Sequence, residues 1–169
     1  MNWLRMEHYT SKLMRSMDVR GVFLVSMAEN GIPNVMTVDT GQVGFALDKI
    51  VVTMFVRASR YTYSCLMGSS DFTLNVPEFT ELGCDLAFCG KNSGRWTNKI
   101  DECLFTMVES RKVVTPIIAE CPIHLECKIL TRDHLWPCHF ASPEIVKEHY
   151  KEADYHMAVM AEIVEAYEN

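Results

Sequence analysis

Residues 21–38, GVFLVSMAENGIPNVMTV, decide how this chain folds. GVFLVSMA is a compact apolar run with several β-branched residues. Glu29-Asn30-Gly31 follows as a turn signal, since asparagine and glycine tolerate the left-handed backbone that a tight hairpin needs. IPNVMTV then returns as a second run. The pattern predicts two strands joined by an Asn-Gly hairpin.

Downstream, QVGFALDKIVVTMFV (42–56) has a hinge at Asp48-Lys49. IVVTMFV is apolar on both faces, which marks a central strand. Arg57-Ala58-Ser59-Arg60 ends it. RYTYSCLMGS (60–69) reads as a helix with Ser59 as N-cap and Gly68 near its close. DFTLNV (71–76) is a further strand stopped by Pro77, and Thr80 is placed to cap a helix running through ELGCDLAFC to Gly90. KNSGRWTNK (91–99) is a polar surface loop, with room for a turn of helix after it. PIIAECPIHLECKIL (116–130) holds one or two strands. Ser142-Pro143-Glu144 combines a capping side chain, an N1 proline and an early acid, and starts a charged helix, PEIVKEHYKEAD (143–154). YHMAVMAEIVEAY (155–167) stays open: alanine, methionine and glutamate favour helix, while a loose alternation favours strand. Upstream, residues 1–18 read as a short amphipathic helix. Several short strands with few helices predict a mainly β, closed or nearly closed antiparallel barrel.

A length of 169 residues fits one domain, read as 1–169 with a helical segment at 1–18 and a helical insertion at about 132–153. Hydrophobic residues make up 49% and charged residues 22%, so a substantial core is available. The net charge of −6 argues against non-specific binding to nucleic acid or anionic membrane, because phosphate attraction needs a cationic face. Arg5, Glu7, His8 and Lys12 interrupt the N-terminal stretch, and no charge-free apolar run reaches membrane-spanning length; cytoplasm is the expected compartment. The seven cysteines are scattered without Cys-x-x-Cys spacing and are expected to be mostly small buried side chains. The histidines form no metal-ligand pattern, and no metal is expected.

Three patterns in order carry a family resemblance: Pro33-Asn34-Val35-Met36-Thr37, Arg57-Ala58-Ser59-Arg60-Tyr61-Thr62, and Phe88-Cys89-Gly90-Lys91-Asn92-Ser93-Gly94-Arg95 with Lys99 following. Between them Phe72-Thr73-Leu74-Asn75-Val76-Pro77 matches an F-x-x-N-x-P strand end, and beyond them stand Glu120-Cys121-Pro122 and LECKIL. Together these resemble the flavin reductase-like, FMN-binding split-barrel family that includes flavoredoxins. The resemblance covers roughly residues 20–131, and 154–167 is similar to the family's closing strand, which resolves that segment as β. It implies a six-stranded antiparallel split barrel, a homodimer, and FMN at the interface.

The same resemblance assigns residues to the flavin. Ser59, Arg60, Tyr61 and Thr62, with Arg57 as a second charge, offer hydroxyls, guanidinium groups and a helix start to the phosphate. On the tetrapeptide alone, a Ser59 cap with solvated arginines is the simpler account; the resemblance favours the phosphate. Alternation puts Asn34 and Met36 on one strand face and Val35 and Thr37 on the other, and in the family this stretch passes beside the ring. Cys89, Ser93, Arg95 and Lys99 belong to the third pattern. A lysine at the pyrimidine end would stabilise the anionic reduced ring, although a solvated lysine is an equal alternative. Two departures stand out. Asn98 replaces the family's usual aspartate. Asp39-Thr40-Gly41 stands where many relatives carry tryptophan, so Asp39 either lowers the reduction potential or faces solvent. The insertion around His134, Trp136 and His139 could cover the ring or merely pack.

The expected activity is an oxidoreductase in which NADH or NADPH reduces bound FMN and electrons pass onward. The chemistry belongs to the ring, so no catalytic residue is assigned. Two alternatives stay open: an FMN-binding carrier docking to a redox protein partner, and a split barrel that has lost flavin for another ligand.

Overall fold

The computed structural model describes residues 3–77 and 82–169. The Thr80 cap lies outside the described residues. β1 (Val22–Met27) and β2 (Pro33–Val38) form the expected hairpin, with Val22 opposite Val38 and Met27 opposite Pro33. Its turn places Gly31 at φ +78°, and the Asn30 side-chain oxygen accepts from the Ile32 N–H at 3.1 Å. Glycine removes the Cβ penalty at that φ, and the asparagine satisfies a donor that the turn leaves free.

β3 (Gly41–Ala46) and β4 (Lys49–Arg57) form a second hairpin. Its turn residues are Leu47 and Asp48, both at positive φ (52° and 57°). α2 (Tyr61–Gly68) leads to β5 (Asp71–Val76), and α3 (Gly83–Lys91) and α4 (Lys99–Glu102) follow. β6 (Met107–Val108) and β7 (Ile117–Ile118) make a small separate ribbon. β8 (Ile123–His134) and β9 (His156–Glu168) are the longest strands. The main sheet is antiparallel throughout and runs β2-β1-β5-β8-β9-β4-β3. It has seven strands instead of the expected six, and it is not closed. The hinge at Leu47-Asp48 folds the predicted 42–56 run back on itself, so β3 becomes an edge strand on β4.

β9 is the closing strand that the resemblance implied for 154–167. It lies between β8 and β4, and Met157, Val159, Ala161 and Ile163 alternate into the core. Pairing on both edges outweighs the helical propensity of its alanines and glutamates. β8 continues to His134, so the connection between the last two strands spans 135–155. α5 (Pro143–His149) lies in this connection with Ser142 capping the Glu144 N–H at 3.2 Å, and it ends before the predicted Asp154.

The sheet buries two apolar clusters, one on each face of the first hairpin. The larger takes Val22, Leu24, Met36, Val52, Met54 and Leu74, together with Met6, Leu13 and Met17 of α1 (Trp3–Val19). The smaller takes Phe23, Val25 and Val35 with Leu86 and Cys89 of α3, Phe105 and Ile118. The run at 22–25 is therefore apolar at every position because both its faces are covered. The connecting loop at 109–116 is held by buried carboxylates. Glu126 accepts from the N–H groups of Arg111 (2.7 Å) and Lys112 (2.6 Å), and Asp71 accepts from the Thr115 hydroxyl at 2.6 Å. No helix among the described residues is long and apolar enough to cross a membrane.

Candidate functional site

β2, the start of α2 and the loop between α3 and α4 converge on two adjoining cavities. The larger, about 230 Å³, is lined by Pro33 and Asn34 of β2, Tyr61, and the loop from Gly94 to Ile100. The smaller, about 110 Å³, is lined by Met36, Ser59 to Thr62, Cys89, the loop from Lys91 to Gly94, and Lys99. Tyr61, Gly94 and Lys99 belong to both walls.

Alternation along β2 sends its side chains where the pattern predicted. Asn34 and Met36 reach the cavities, while Val35 enters the smaller core and the Thr37 hydroxyl donates to the Leu86 carbonyl at 2.5 Å. The Asn34 amide donates to Thr62 Oγ1 at 2.8 Å and joins the two cavities at their base. A Cβ at Gly94 would stand 2.1 Å from Asn34 Oδ1 and 3.0 Å from Tyr61 Cδ1, so a side chain there would force the Asn34 amide or the loop to move. The Arg95 guanidinium lies 5.7 Å from the Tyr61 ring centroid, and Ser93 Oγ accepts from the Arg95 N–H at 3.3 Å.

Lys99 is the buried cation of the site, only 4% exposed. Its ammonium donates to the carbonyls of Cys89 (3.1 Å) and Asn92 (3.2 Å). Burial pulls its pKa below the usual lysine range, with Arg60 adding to the effect and the Cys89 thiol opposing it. The solvated alternative for Lys99 does not hold in this fold.

The helix start differs from expectation. Arg60, not Ser59, is the N-cap residue of α2, and no side chain caps it. The Ser59 hydroxyl and N–H both donate to the Asp154 carboxylate, at 2.7 and 3.0 Å. Asp154 reaches it from the connection before β9, so a distant segment has displaced the local cap. The Tyr63 N–H donates to the Arg60 carbonyl at 3.0 Å, and the first turn of α2 has no side-chain acceptor beside the smaller cavity. Arg60 donates to the Gly90 carbonyl at 3.1 Å.

Arg57 and Asp39 line neither cavity. Arg57 donates to the Asp154 carbonyl at 2.9 Å and lies over the Tyr150 ring, pinning the same connection. Asp39 is exposed and accepts from the Thr40 hydroxyl. His134 is held by Tyr63 OH at 3.0 Å and stacks on Trp136 at 4.9 Å between centroids; with His139, they line neither cavity. Lys91, Asn92 and Trp96 join the walls without having been singled out, although the polar loop sequence already contained them.

A phosphate ester attached to a flat heteroaromatic ring fits this arrangement. The smaller cavity offers an uncapped helix start, Lys91, Lys99 and the Thr62 hydroxyl. The larger offers the Tyr61 ring, the Asn34 amide and the apolar edge of Pro33.

Comparison with known proteins identifies the family. A model of the flavin reductase like domain matches residues 14–169. A protein of Archaeoglobus fulgidus without characterised function is 36% identical over 120 residues, covering 69% of this chain and 66% of that protein, so the chain spans just under two thirds of its relative's length. Among solved structures, flavoredoxin of Desulfovibrio vulgaris (Miyazaki F) superposes with a TM-score of 0.70 at 16% identity, covering 88% of this chain and 69% of the other. An FMN-binding domain of a flavin reductases-like enzyme from Shewanella baltica gives 0.66 at 21% identity, covering 94% and 74%. These two likenesses speak for the split-barrel fold. The domain match extends over most of the sequence, and with it the chain belongs to the flavin reductase-like family.

Proposed function

We propose that this chain binds FMN and acts as an oxidoreductase of the flavin reductase type, accepting electrons from NADH or NADPH and passing them on. The observation that carries it is the pair of adjoining cavities sharing Tyr61, Gly94 and Lys99. One suits a dianion and the other a flat ring. When bound, the isoalloxazine supplies the hydride-accepting centre.

The protein's own part is binding and electrostatic tuning. The Tyr61 and Thr62 N–H groups at the start of α2, with Lys91, hold the phosphate end. Asn34 positions the ring edge, and Tyr61, backed by Arg95, forms a wall. Lys99 is held in a low-dielectric setting by two carbonyls, so its charge favours a reduced anion more than a solvated lysine's would. Ser59 contributes once its donors leave Asp154. Arg57 and Asp39 act at a distance, through the connection and the surrounding field. Cys89 gives a small apolar contact to the smaller cavity.

The larger cavity is bordered by Ile32 and Trp96, which are 55% and 86% exposed. Such apolar groups at the mouth of a site support a homodimer in which a second copy covers the ring. The net charge of −6 supports a carrier docking to a basic redox partner as the second reading, and gives no support to nucleic-acid or membrane binding.

Titration with FMN, followed by quenching of flavin fluorescence and by absorbance, tests the binding. Oxidation of NADH and NADPH by the loaded protein, with and without added free flavin or a protein acceptor, separates the enzyme from the carrier. A colourless protein that takes up no FMN overturns both.

A further inference from the structure

Cys89 and Cys103 bring their sulfurs within 3.9 Å of one another. Cys89 sits on α3, is 1% exposed, and forms part of the smaller cavity's wall. Cys103 is the C-cap residue of α4 and is partly exposed. It lies in a turn closed by the Phe105 N–H on the Ile100 carbonyl at 2.9 Å, with Leu104 in the left-handed region at φ 55°. Cys89 belongs to the smaller apolar core and Cys103 packs against it. The chain between them, residues 90–102, is the loop that carries Ser93, Gly94, Arg95 and Lys99.

We propose that Cys89 and Cys103 are a reversible dithiol–disulfide pair, oxidised by a peroxide, whose bond ties off the loop bearing the candidate flavin contacts. The pair rests on the flavin reading only for what that loop does. Two thiols at 3.9 Å are already in van der Waals contact, and rotation about their side-chain torsions brings them toward the bonding distance of about 2.05 Å. Because Cys103 is the exposed member, peroxide meets it first.

The step balances. The Cys103 sulfur attacks one peroxide oxygen; the O–O bond breaks, one water leaves, and Cys103 becomes a sulfenic acid. The Cys89 sulfur then attacks that sulfur. The S–S bond forms as the S–O bond breaks, and the departing hydroxide takes the Cys89 proton and leaves as a second water. Two thiols have lost two electrons to one peroxide. A dithiol reductant reverses the bond by exchange.

The surroundings make this a slow pair at neutral pH. Burial raises both thiols above the usual cysteine range, each raised further by Asp85 on α3, while the Lys99 ammonium on α4 pulls Cys89 back down. Oxidation therefore quickens as pH rises, since the thiolate is the attacking form.

The test treats the full chain with hydrogen peroxide, blocks free thiols, and maps peptides by mass spectrometry. The expected product is lighter by two hydrogen atoms, with Cys89 linked to Cys103. The link persists in Cys84→Ser, disappears in Cys89→Ser and Cys103→Ser, and is reversed by dithiothreitol. Amide hydrogen exchange across residues 92–98 should slow at least fivefold on oxidation. Cys103 recovered free or as sulfinic acid without a linked peptide overturns the proposal, and so does a linked form whose loop exchanges as before. Neither readout needs flavin. A reduced protein that ignores FMN would defeat the proposed function while the thiol pair is judged on its own.

Discussion

The Asn34 side-chain amide donates to the Thr62 hydroxyl at 2.8 Å, tying β2 to the first turn of α2 where the two cavities meet. Removing it should separate the two halves of the site. A buried hydrogen bond of this kind contributes about 1 kcal/mol net, so Asn34→Ala should weaken FMN binding roughly fivefold. The thermal midpoint should move by only a few degrees. Fluorescence titration and a melting curve on the same sample check both halves, and unchanged affinity would mean the cavities do not form one site.

Gly94→Ala puts a methyl group 2.1 Å from Asn34 Oδ1. The loop or the Asn34 amide must shift, at a cost of about 1–3 kcal/mol. FMN affinity should fall by roughly 5- to 150-fold. Asn34→Ala in the same background removes the tightest contact, so the double variant should lose less than the two single effects combined. Strict additivity would place the damage elsewhere.

Lys99→Met removes the buried ammonium without much change in volume. If that charge favours the reduced ring, the bound flavin's two-electron potential should drop, by about 30 mV for each tenfold loss of preference. Equilibration with reference dyes under anaerobic conditions measures it. An unchanged potential alongside weakened binding would restrict Lys99 to positioning.

Asp154 accepts both the N–H and the hydroxyl of Ser59. A phosphate using those donors must displace it. Asp154→Ala should therefore tighten FMN binding several-fold, more strongly at low salt, where the carboxylate's repulsion is least screened. Weaker binding in this variant would instead make Asp154 a brace that holds Ser59 in position.

His124 is fully buried and hydrogen-bonded through Nδ1 to Asn75 Oδ1 at 2.8 Å. Burial, with the Arg111 charge beside it, lowers its pKa to about 4. The unfolded chain takes up this proton near pH 6.5 and the folded chain does not until about pH 4. The contribution is fully present above pH 6.5, falls as the pH drops through this window, and is exhausted below about 4, a loss of about 3 kcal/mol. Urea midpoints between pH 7 and 4 should show a decline that His124→Gln flattens.

Much of the architecture can be read from local chemistry. The Asn30-Gly31 turn, the strand at 71–76 and the Ser142-Pro143-Glu144 helix start depend on backbone preferences of neighbouring residues, and they stand where those preferences put them. So does the alternation from Asn34 to Thr37. Even the apolar density at 22–25 has a plain cause in the two cores that flank it.

What local chemistry misses involves residues far apart in the chain. Ser59 has every property of an N-cap, yet a carboxylate 95 positions away claims its donors. Arg57 looks like a second phosphate charge and instead pins the same distant connection. Lys99 reads as a polar-loop lysine until the end of α3 and the loop after it bring the Cys89 and Asn92 carbonyls to its ammonium.

By itself, then, the sequence determined the hairpins, the strand faces and the loop that carries the site residues, because propensity and alternation act within a few residues of their cause. Only the tertiary structure decided which donors remain open at α2, which lysine is buried, and that Cys89 meets Cys103. Those outcomes depend on which distant segment packs against which, and burial, pairing and charge screening take their values only once that packing exists.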